Sequence, residues 1–321
     1  MIMKRKLVKQ GLRALTITVP SSWVQKNDLK AGDEIDINEA DDNLFISTEK
    51  QRPIKEISVD VSGMLPRLAD RFMARSYQKG YDKLRIKFDS PELMLAIKNK
   101  VPELMGFEIL RIEKNEMEIQ AITRELELEF DVMVRRAFLI LMDMAKTCQD
   151  AWKSNDSKAL ENVVYQDFDA NRFLYFCLRD LSKNQKRISF GRLILYYHIE
   201  TLEDLGDELK ELATTLSRIK PDKQILGILN KMNELFRMCY EFFYKPEKNK
   251  ATSAYLLSKE ISKMIYESFD SKSKDLNKAL MLIECSIRVM TSLVTMRLDT
   301  LSELKGYPLN EIKKDDFAMT S

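Results

Sequence analysis

Six long segments with the apolar period of a packed helix occupy the chain from Thr123 to about Leu304. In each segment, apolar residues recur every three to four positions, which places them on one face of a helix. Short polar stretches containing Pro, Asn or Ser separate the segments and would end each helix. The predicted helices span residues 124–153, 157–182, 188–217, 222–245, 249–269 and 273–304. We therefore expect a protein that is mainly helical.

The six segments fall into two sets of three, with similar lengths in each set. This pattern indicates an internal duplication of roughly 100 residues per copy. We expect two tandem three-helix bundles, over residues 123–219 and 220–305, because helices joined by short connections pack against their neighbours. The aromatic run from Phe236 to Tyr244 indicates packing in the core and against a partner helix.

Residues 53–122 have a different pattern, which predicts a small α+β domain of order βαβαββ. Alternating strands are expected at 56–61 and 83–88 and in a hairpin of 107–113 with 117–122. A helix is expected over 64–78, and Ser90-Pro91 has the cap and first-turn residues of a second helix. The segment contains no glycine-rich phosphate loop. It is either a linker domain with a structural role or a module for a small ligand.

Residues 1–52 predict a compact β unit. Strands are expected at 15–19, within 29–37 and at 43–47, with a short helix at 22–27 capped by Pro20-Ser21. Strands this short do not bury a core alone, so we expect the unit to pair with a second copy. Beyond the helices, residues 306–321 are expected to be a frayed tail.

The charge of the chain is unevenly distributed. The net charge is only +2, but residues 1–30 hold seven basic residues against one acidic residue, a local charge of +6. Such asymmetry indicates a surface for a polyanion. The basic residues nearest the N-terminus, and our candidates for contact with this polyanion, are Lys4, Arg5, Lys6, Lys9 and Arg13.

The third helical segment carries paired acids. Glu203 and Asp207 are four residues apart on the segment from Leu195 to Ala213, so they lie on adjacent turns beside its apolar stripe. Two like charges within roughly 6 Å repel unless a proton, a basic side chain or a cation neutralises them. Gly206 lies on the apolar stripe and would let a neighbouring helix approach closely.

Several classes of protein are disfavoured. The four cysteines, Cys148, Cys177, Cys239 and Cys285, form no CxxC pair and are expected to be buried reduced thiols. The only histidine, His198, lies about 140° around the helix from Glu203 at 100° per residue and is expected to be structural. One histidine without a paired nucleophile gives little basis for catalysis, so we do not expect an enzyme. We expect a cytoplasmic protein without a membrane span, since no apolar run approaches 20 residues and the N-terminus lacks the apolar h-region of a signal peptide.

The N-terminal unit resembles the swapped-hairpin domains of the AbrB/SpoVT family of DNA-binding dimers. The resemblance rests on Thr16-Ile-Thr-Val-Pro-Ser-Ser-Trp23, followed by Leu29-Lys-Ala-Gly-Asp-Glu-Ile35 and Leu44-Phe-Ile46. It implies a homodimer whose N-terminal arms face double-stranded DNA. Lys and Arg bind phosphate by charge, and Arg can also contact guanine edges bidentately. A dimerisation module that never contacts DNA is the alternative.

The helical region resembles the PhoU family of phosphate-uptake regulators. The resemblance rests on Leu202-Glu-Asp-Leu-Gly-Asp207 in the third helix and on Asp167 and Asn171, four apart, in the second. It implies a divalent or iron metal ion at Glu203 and Asp207, with Asp167 and Asn171 as additional ligands. Oxygen ligands on adjacent turns suit such ions. A hydrated acidic helix face is the alternative.

The second copy departs from this pattern, because Arg288 stands four residues after Glu284 where an acid is expected. Such a pair would neutralise itself without a metal. We therefore expect at most one metal site per chain, in the first bundle.

Together these patterns predict a multidomain α+β protein, mainly α, that acts as a dimeric, DNA-binding regulator of phosphate uptake. The family resemblance implies the ATPase subunit of a phosphate ABC transporter as a partner. A dimeric adaptor that never contacts DNA is the second hypothesis. A carboxylate-bridged metalloenzyme is disfavoured, since the acids have no histidine partners at Glu-x-x-His spacing.

Overall fold

The computed structural model describes residues 4–11, 13–40, 43–48, 54–123, 129–183, 190–269 and 273–298. The chain divides into two compact units, Met1–Ile54 and Lys55–Ser321. Helices account for most of the described residues, as the periodic segments predicted. The expected tail at 306–321 lies outside the described residues.

The N-terminal unit contains two short hairpins and one short helix. In the first hairpin, β1 (Val8–Gln10) pairs with β2 (Ala14–Thr16) next to Gly11, which has a φ of +73°. Helix α1 (Ser21–Lys26) follows, and β3 (Asp36–Ala40) pairs with β4 (Asn43–Ser47). The first predicted strand, at 15–19, is shorter and earlier than expected. Of the predicted cap, Pro20-Ser21, only Pro20 is the capping residue, and it makes no side-chain hydrogen bond, whereas Ser21 is the first residue of the helix.

An α+β domain opens the second unit, in the predicted βαβαββ order. Its elements are β5 (Glu56–Asp60), α2 (Pro66–Gln78), β6 (Lys83–Lys87), α3 (Pro91–Lys100), a 3-10 turn (Val101–Glu103), β7 (Phe107–Ile112) and β8 (Glu116–Ala121). The strand order is β5-β6-β8-β7, with only β5 and β6 parallel. Alternation along β6 and β8 buries Leu84, Ile86, Met117 and Ile119. Ser90 caps α3 as predicted, accepting from Leu93 N at 3.3 Å.

Six helices follow. They are α4 (Phe130–Lys153), α5 (Ser157–Lys183), α6 (Phe190–Leu216), α7 (Lys223–Tyr244), α8 (Lys248–Ser268) and α9 (Lys274–Met296). All six coincide with the predicted segments. The clearest difference is at the end of α9, which stops at Met296 and is capped by Arg297, whereas the prediction ran to 304.

The two sets of three helices share one hydrophobic core. Helix α6 packs on α9, α4 packs on α7, and the buried apolar residues of all six helices form one continuous cluster. Phe138 of α4 lies at the centre of this contact, with its ring centroid 5.0 Å from that of Phe243 and 5.6 Å from that of Tyr240. The aromatic run on α7 therefore has the packing role that the sequence predicted. The shared core makes the six helices a single body rather than two bundles in series.

The α+β domain is docked on α5. Arg179 is buried there and donates to Tyr77 O at 3.0 Å, to Tyr81 O at 2.6 Å and to Asp82 Oδ1 at 2.6 Å. Tyr175, one helical turn earlier, is part of the domain's own hydrophobic core. The domain is thus held to the bundle by buried polar and apolar contacts, which is more than a linker requires.

Three of the four cysteines, Cys148, Cys177 and Cys239, are buried as expected. Cys285 is exposed, so the expectation is wrong for this residue. Among the described helices, only α9 is long and apolar enough to cross a membrane by length and composition. Nearly half of its apolar window is buried inside the bundle, and core helices of water-soluble proteins have the same character.

Arg179→Ala should lower the free energy of unfolding by about 3 kcal/mol, because it removes a buried guanidinium group that donates to the Asp82 carboxylate and to the carbonyl groups of Tyr77 and Tyr81. Chemical denaturation of the full chain measures this. Arg237→Ala, which removes an exposed arginine 3.9 Å from Glu241, is the matched control and should cost less than about 1 kcal/mol. Equal losses in the two variants would contradict the anchoring role.

Candidate functional site

A pocket of about 420 Å³ lies where the α+β domain meets the helical bundle. Helix α2 and the 3-10 turn form one side, and α5 and α6 form the other. Acidic and basic side chains alternate around it. Its carboxylates are Asp70, Glu103, Asp167, Glu203 and Asp207, and its cations are Arg67, Arg71, Lys100 and Lys210.

The structure brings the four residues predicted for a metal site to this one pocket. Asp167 and Asn171 project from α5, and Glu203 and Asp207 project from α6. Asp167, Asn171 and Glu203 are buried, and Asp207 is half-buried. The acidic face is therefore covered by the α+β domain, and the hydrated helix face considered above is wrong for these residues.

The positive charge expected beside the acids comes from two side chains of the same chain. Lys210 Nζ lies 2.5 Å from Asp207 Oδ1 and 2.6 Å from Asp167 Oδ2, so it bridges the carboxylates of two helices. Arg71 Nη2 donates to Asp207 Oδ2 at 3.1 Å. One turn along α2, Arg75 pairs with Glu200 of α6. Sequence reasoning missed both Lys210 and Arg71.

These residues do not fit a resident metal ion. Both oxygens of Asp207 and one oxygen of Asp167 already accept hydrogen bonds from cationic donors. A divalent ion at the same oxygens would lie beside an ammonium and a guanidinium group, whose positive charges would repel it. Within the described ranges, no group of three or more histidine, cysteine or acidic side chains is arranged to hold a metal. We therefore carry no metal into the function proposed below.

The charged groups of the pocket influence one another's pKa values. Burial is the largest influence on Asp207 and would raise its pKa, but hydrogen bonds and charges from Lys210 and Arg71 outweigh it and lower the pKa. Burial raises the pKa of Asp167 by more than Lys210 lowers it. Burial lowers the pKa of Lys210, but both aspartates together raise it above its usual value, so Lys210 remains an ammonium group.

Glu203 is an acid of the pocket whose pKa reaches the neutral range. Its pKa is raised to about 7, mainly by burial and also by the negative charge of Asp207, and Arg71 and Arg75 offset only part of the effect. Its one described hydrogen bond is long, from the hydroxyl of Tyr175 at 3.4 Å. A proton thus neutralises Glu203 near neutral pH, whereas basic side chains neutralise Asp207.

Gly206 makes room for this arrangement. A Cβ atom at this position would lie 2.9 Å from Asp167 Oδ1 and 3.1 Å from Leu141 Cδ2. The expected close approach to a neighbouring helix is therefore confirmed, for α5 and α4 together. Asn171 donates a weak hydrogen bond to Asp167 Oδ2 at 3.5 Å. An acid in place of Asn171 would instead repel Asp167.

A second charged cluster borders the pocket on the side of the α+β domain. Lys100 is buried and lies 2.8 Å from Glu103 and 3.2 Å from Asp70. Its ammonium group also lies 5.4 Å from the ring centroid of Tyr175, within cation–π range. This cluster could not be found from the sequence, because it depends on how α3 and the 3-10 turn face α5.

The second helical copy behaves as its sequence predicted. Arg288 Nε lies 3.7 Å from Glu284 Oε1, so the pair neutralises itself.

His198 has a structural role, as expected. It is buried, with its ring nitrogens 2.9 Å from Ile194 O and 3.1 Å from Leu293 O, and so links α6 to α9.

The five basic residues predicted to contact DNA are all exposed in the N-terminal unit. Lys4, Arg5 and Lys6 precede β1, Lys9 lies in β1, and Arg13 immediately precedes β2. They therefore lie along one hairpin and the segment leading into it.

Comparison with models of known protein families, with characterised proteins and with solved structures finds no match for this chain.

Gly206→Ala should lower the free energy of unfolding by about 1–2 kcal/mol, because the added methyl group displaces Asp167 from Lys210. This loss outweighs the gain of about 1 kcal/mol that alanine brings to a helix. The matched control is Gly227→Ala on α7, where no atom lies within 4 Å of the new methyl group. The control should gain about 0.5–1 kcal/mol. Chemical denaturation distinguishes the two, and an equal gain in both would contradict the crowding at Gly206.

Glu203→Gln should make the protein more stable than the wild type at pH 8 and have little effect at pH 5. Between its usual pKa of 4.5 and the folded value of about 7, Glu203 holds a proton that the unfolded chain releases. Stability from this group is therefore lost as the pH rises through that window, by about 2–3 kcal/mol. Glutamine has no proton to lose. The difference in unfolding free energy at each pH measures the effect, and exposed Glu267→Gln should show no such trend.

Proposed function

We propose that this chain is a dimeric, DNA-binding regulator of the phosphate-uptake type. Its N-terminal unit would pair with that of a second copy and contact DNA. The α+β domain and the helical body would receive the signal. One observation carries most of this proposal, namely that the described residues of the N-terminal unit form no buried core.

Within residues 4–48, no residue whose burial is described is buried. Apolar side chains are instead exposed in both hairpins: Leu7, Val8, Leu15, Ile17, Ile37 and Leu44. Strands of three and five residues are not stable in water without a covered apolar face. A second copy offers the same exposed residues and would bury both sets, which supports a dimer.

The basic residues of the first hairpin support contact with DNA. Five lysine and arginine side chains within ten residues, all exposed, can replace the counterions of a duplex backbone. Pairing of two copies would double this charge and set two arms at a fixed spacing. Arg5 and Arg13 are the candidates for direct contact with guanine, because only arginine offers a bidentate donor pair.

The phosphate-uptake assignment rests on the resemblance of the second and third bundle helices to the PhoU family. The proposed partner is accordingly the ATPase subunit of a phosphate transporter. Docking of this partner on the helical body would change how the hairpins are presented to DNA. The signal would not be a resident metal, because Lys210 and Arg71 hold the oxygens that such an ion would need.

The second candidate is a dimeric adaptor that regulates the transporter through protein contacts alone. One feature of the first hairpin favours it. Lys9 lies directly opposite Leu15 in the β-ladder, so the two side chains share a face. A dimer that buries Leu15 would also draw Lys9 toward the contact and away from DNA.

Gel-shift assays over a range of salt concentrations distinguish the two candidates. Wild-type protein should bind duplex DNA at low salt, with affinity that falls steeply as salt is added. Arg5→Ala combined with Lys6→Ala should weaken binding about tenfold or more at 50 mM salt and, because the dimer loses four charges, reduce the salt slope by about 4. Both proteins should remain dimers by light scattering.

The control is Lys245→Ala combined with Lys263→Ala, which removes the same charge from exposed positions of the helical body. Its affinity for DNA should equal that of the wild type. A dimer that binds no DNA at low salt would favour the adaptor, and a wild-type monomer at micromolar concentration would exclude both candidates.

A further inference from the structure

We propose that the side-chain ammonium of Lys210 is a built-in cation, which takes the place of a divalent metal between the acids of α5 and α6. The pocket would then hold its two helices and the α+β domain together without any bound ion. This inference is independent of the regulator proposed above.

The position of Lys210 carries the argument. Its nitrogen lies between one oxygen of Asp167 and one oxygen of Asp207, at 2.6 and 2.5 Å. A cation shared by carboxylates from two helices is the arrangement in which a bridging metal would be found. Here the bridging group is covalently attached to α6, three residues after Asp207.

The remaining oxygens of the two aspartates are also accounted for. Asp207 Oδ2 accepts from Arg71 on α2. Asp167 Oδ1 has no hydrogen-bond donor and faces Gly206, only 2.9 Å from where a Cβ atom would be. Three of the four oxygens of this pair are therefore held by cationic donors, and a metal ion that bridges the two aspartates would need Lys210 to move away first.

The second helical copy supports the same conclusion by a different residue. At the corresponding turn of α9, Arg288 lies 3.7 Å from Glu284. In each copy, a basic side chain of the same helix thus lies beside the acid. Lys210 is three residues after Asp207, and Arg288 is four residues after Glu284. Each of these acids therefore has a basic partner on its own helix.

The test is metal binding by the full chain after treatment with a chelator. Wild-type protein should show no calorimetric binding of Mn²⁺, Mg²⁺ or Zn²⁺ at the pocket and no rise in melting temperature with millimolar Mn²⁺. Lys210→Gln, which removes the charge but keeps a polar side chain, should gain one Mn²⁺ site per chain. Its melting temperature should rise by several degrees when Mn²⁺ is added.

Lys231→Gln is the matched control. Lys231 also joins two helices, through Glu260 at 3.0 Å, and its side chain is 32% exposed against 31% for Lys210. This variant should gain no Mn²⁺ site. Lys210→Arg keeps a cation at the bridge and should also bind no metal.

Two results would overturn the inference. One is a wild-type protein that binds Mn²⁺ or Zn²⁺ with a site that Asp207→Asn removes. The other is Lys210→Gln that folds and binds no metal. If Lys210→Gln does not fold alone, recovery of folding in millimolar Mn²⁺ supports the inference, and failure to recover there overturns it.

Discussion

Burial of carboxylates between α5, α6 and the α+β domain is the constraint on which the rest of this structure depends. Asp167 and Glu203 are removed from water at this junction. A buried carboxylate is tolerated only beside a positive charge or with a proton attached. Lys210 and Arg71 supply the charge for the aspartates, while Glu203 holds a proton up to about neutral pH. The placement of α2 against α6 therefore decides both the packing and the electrostatics of the site.

The α+β domain is best understood from this junction. Arg71 and Arg75 reach across from α2, and Arg179 reaches back from α5 into the domain. Contacts in both directions make the domain and the helices one mechanical body. A ligand or partner bound at either part would therefore act on the other, since the same ion pairs join the two parts.

Much of the fold could be predicted from the sequence because periodicity is a local signal. The six helices and the βαβαββ order follow directly from the spacing of apolar residues, and the crowding at Gly206 follows from its place on the stripe. Lys210 could have been found as well, since it lies one turn from Asp207. Arg71 could not, because its role depends on how separate elements pack. In the N-terminal unit, the sequence predicts β4 at its observed position, but it misses β1 and displaces β2 and β3, since short strands without a buried face have little alternation to read.

The absence of buried residues in the described part of the N-terminal unit has a consequence for the protein at different concentrations. If the unit gains its interior only from a second copy, as proposed above, its stability follows the law of mass action. The helical body, with its own continuous core, has no such dependence. Dilution would therefore melt the hairpins while the helices stayed folded. The concentration of the protein in the cell would then determine, by itself, the fraction of molecules whose N-terminal unit is folded and able to bind.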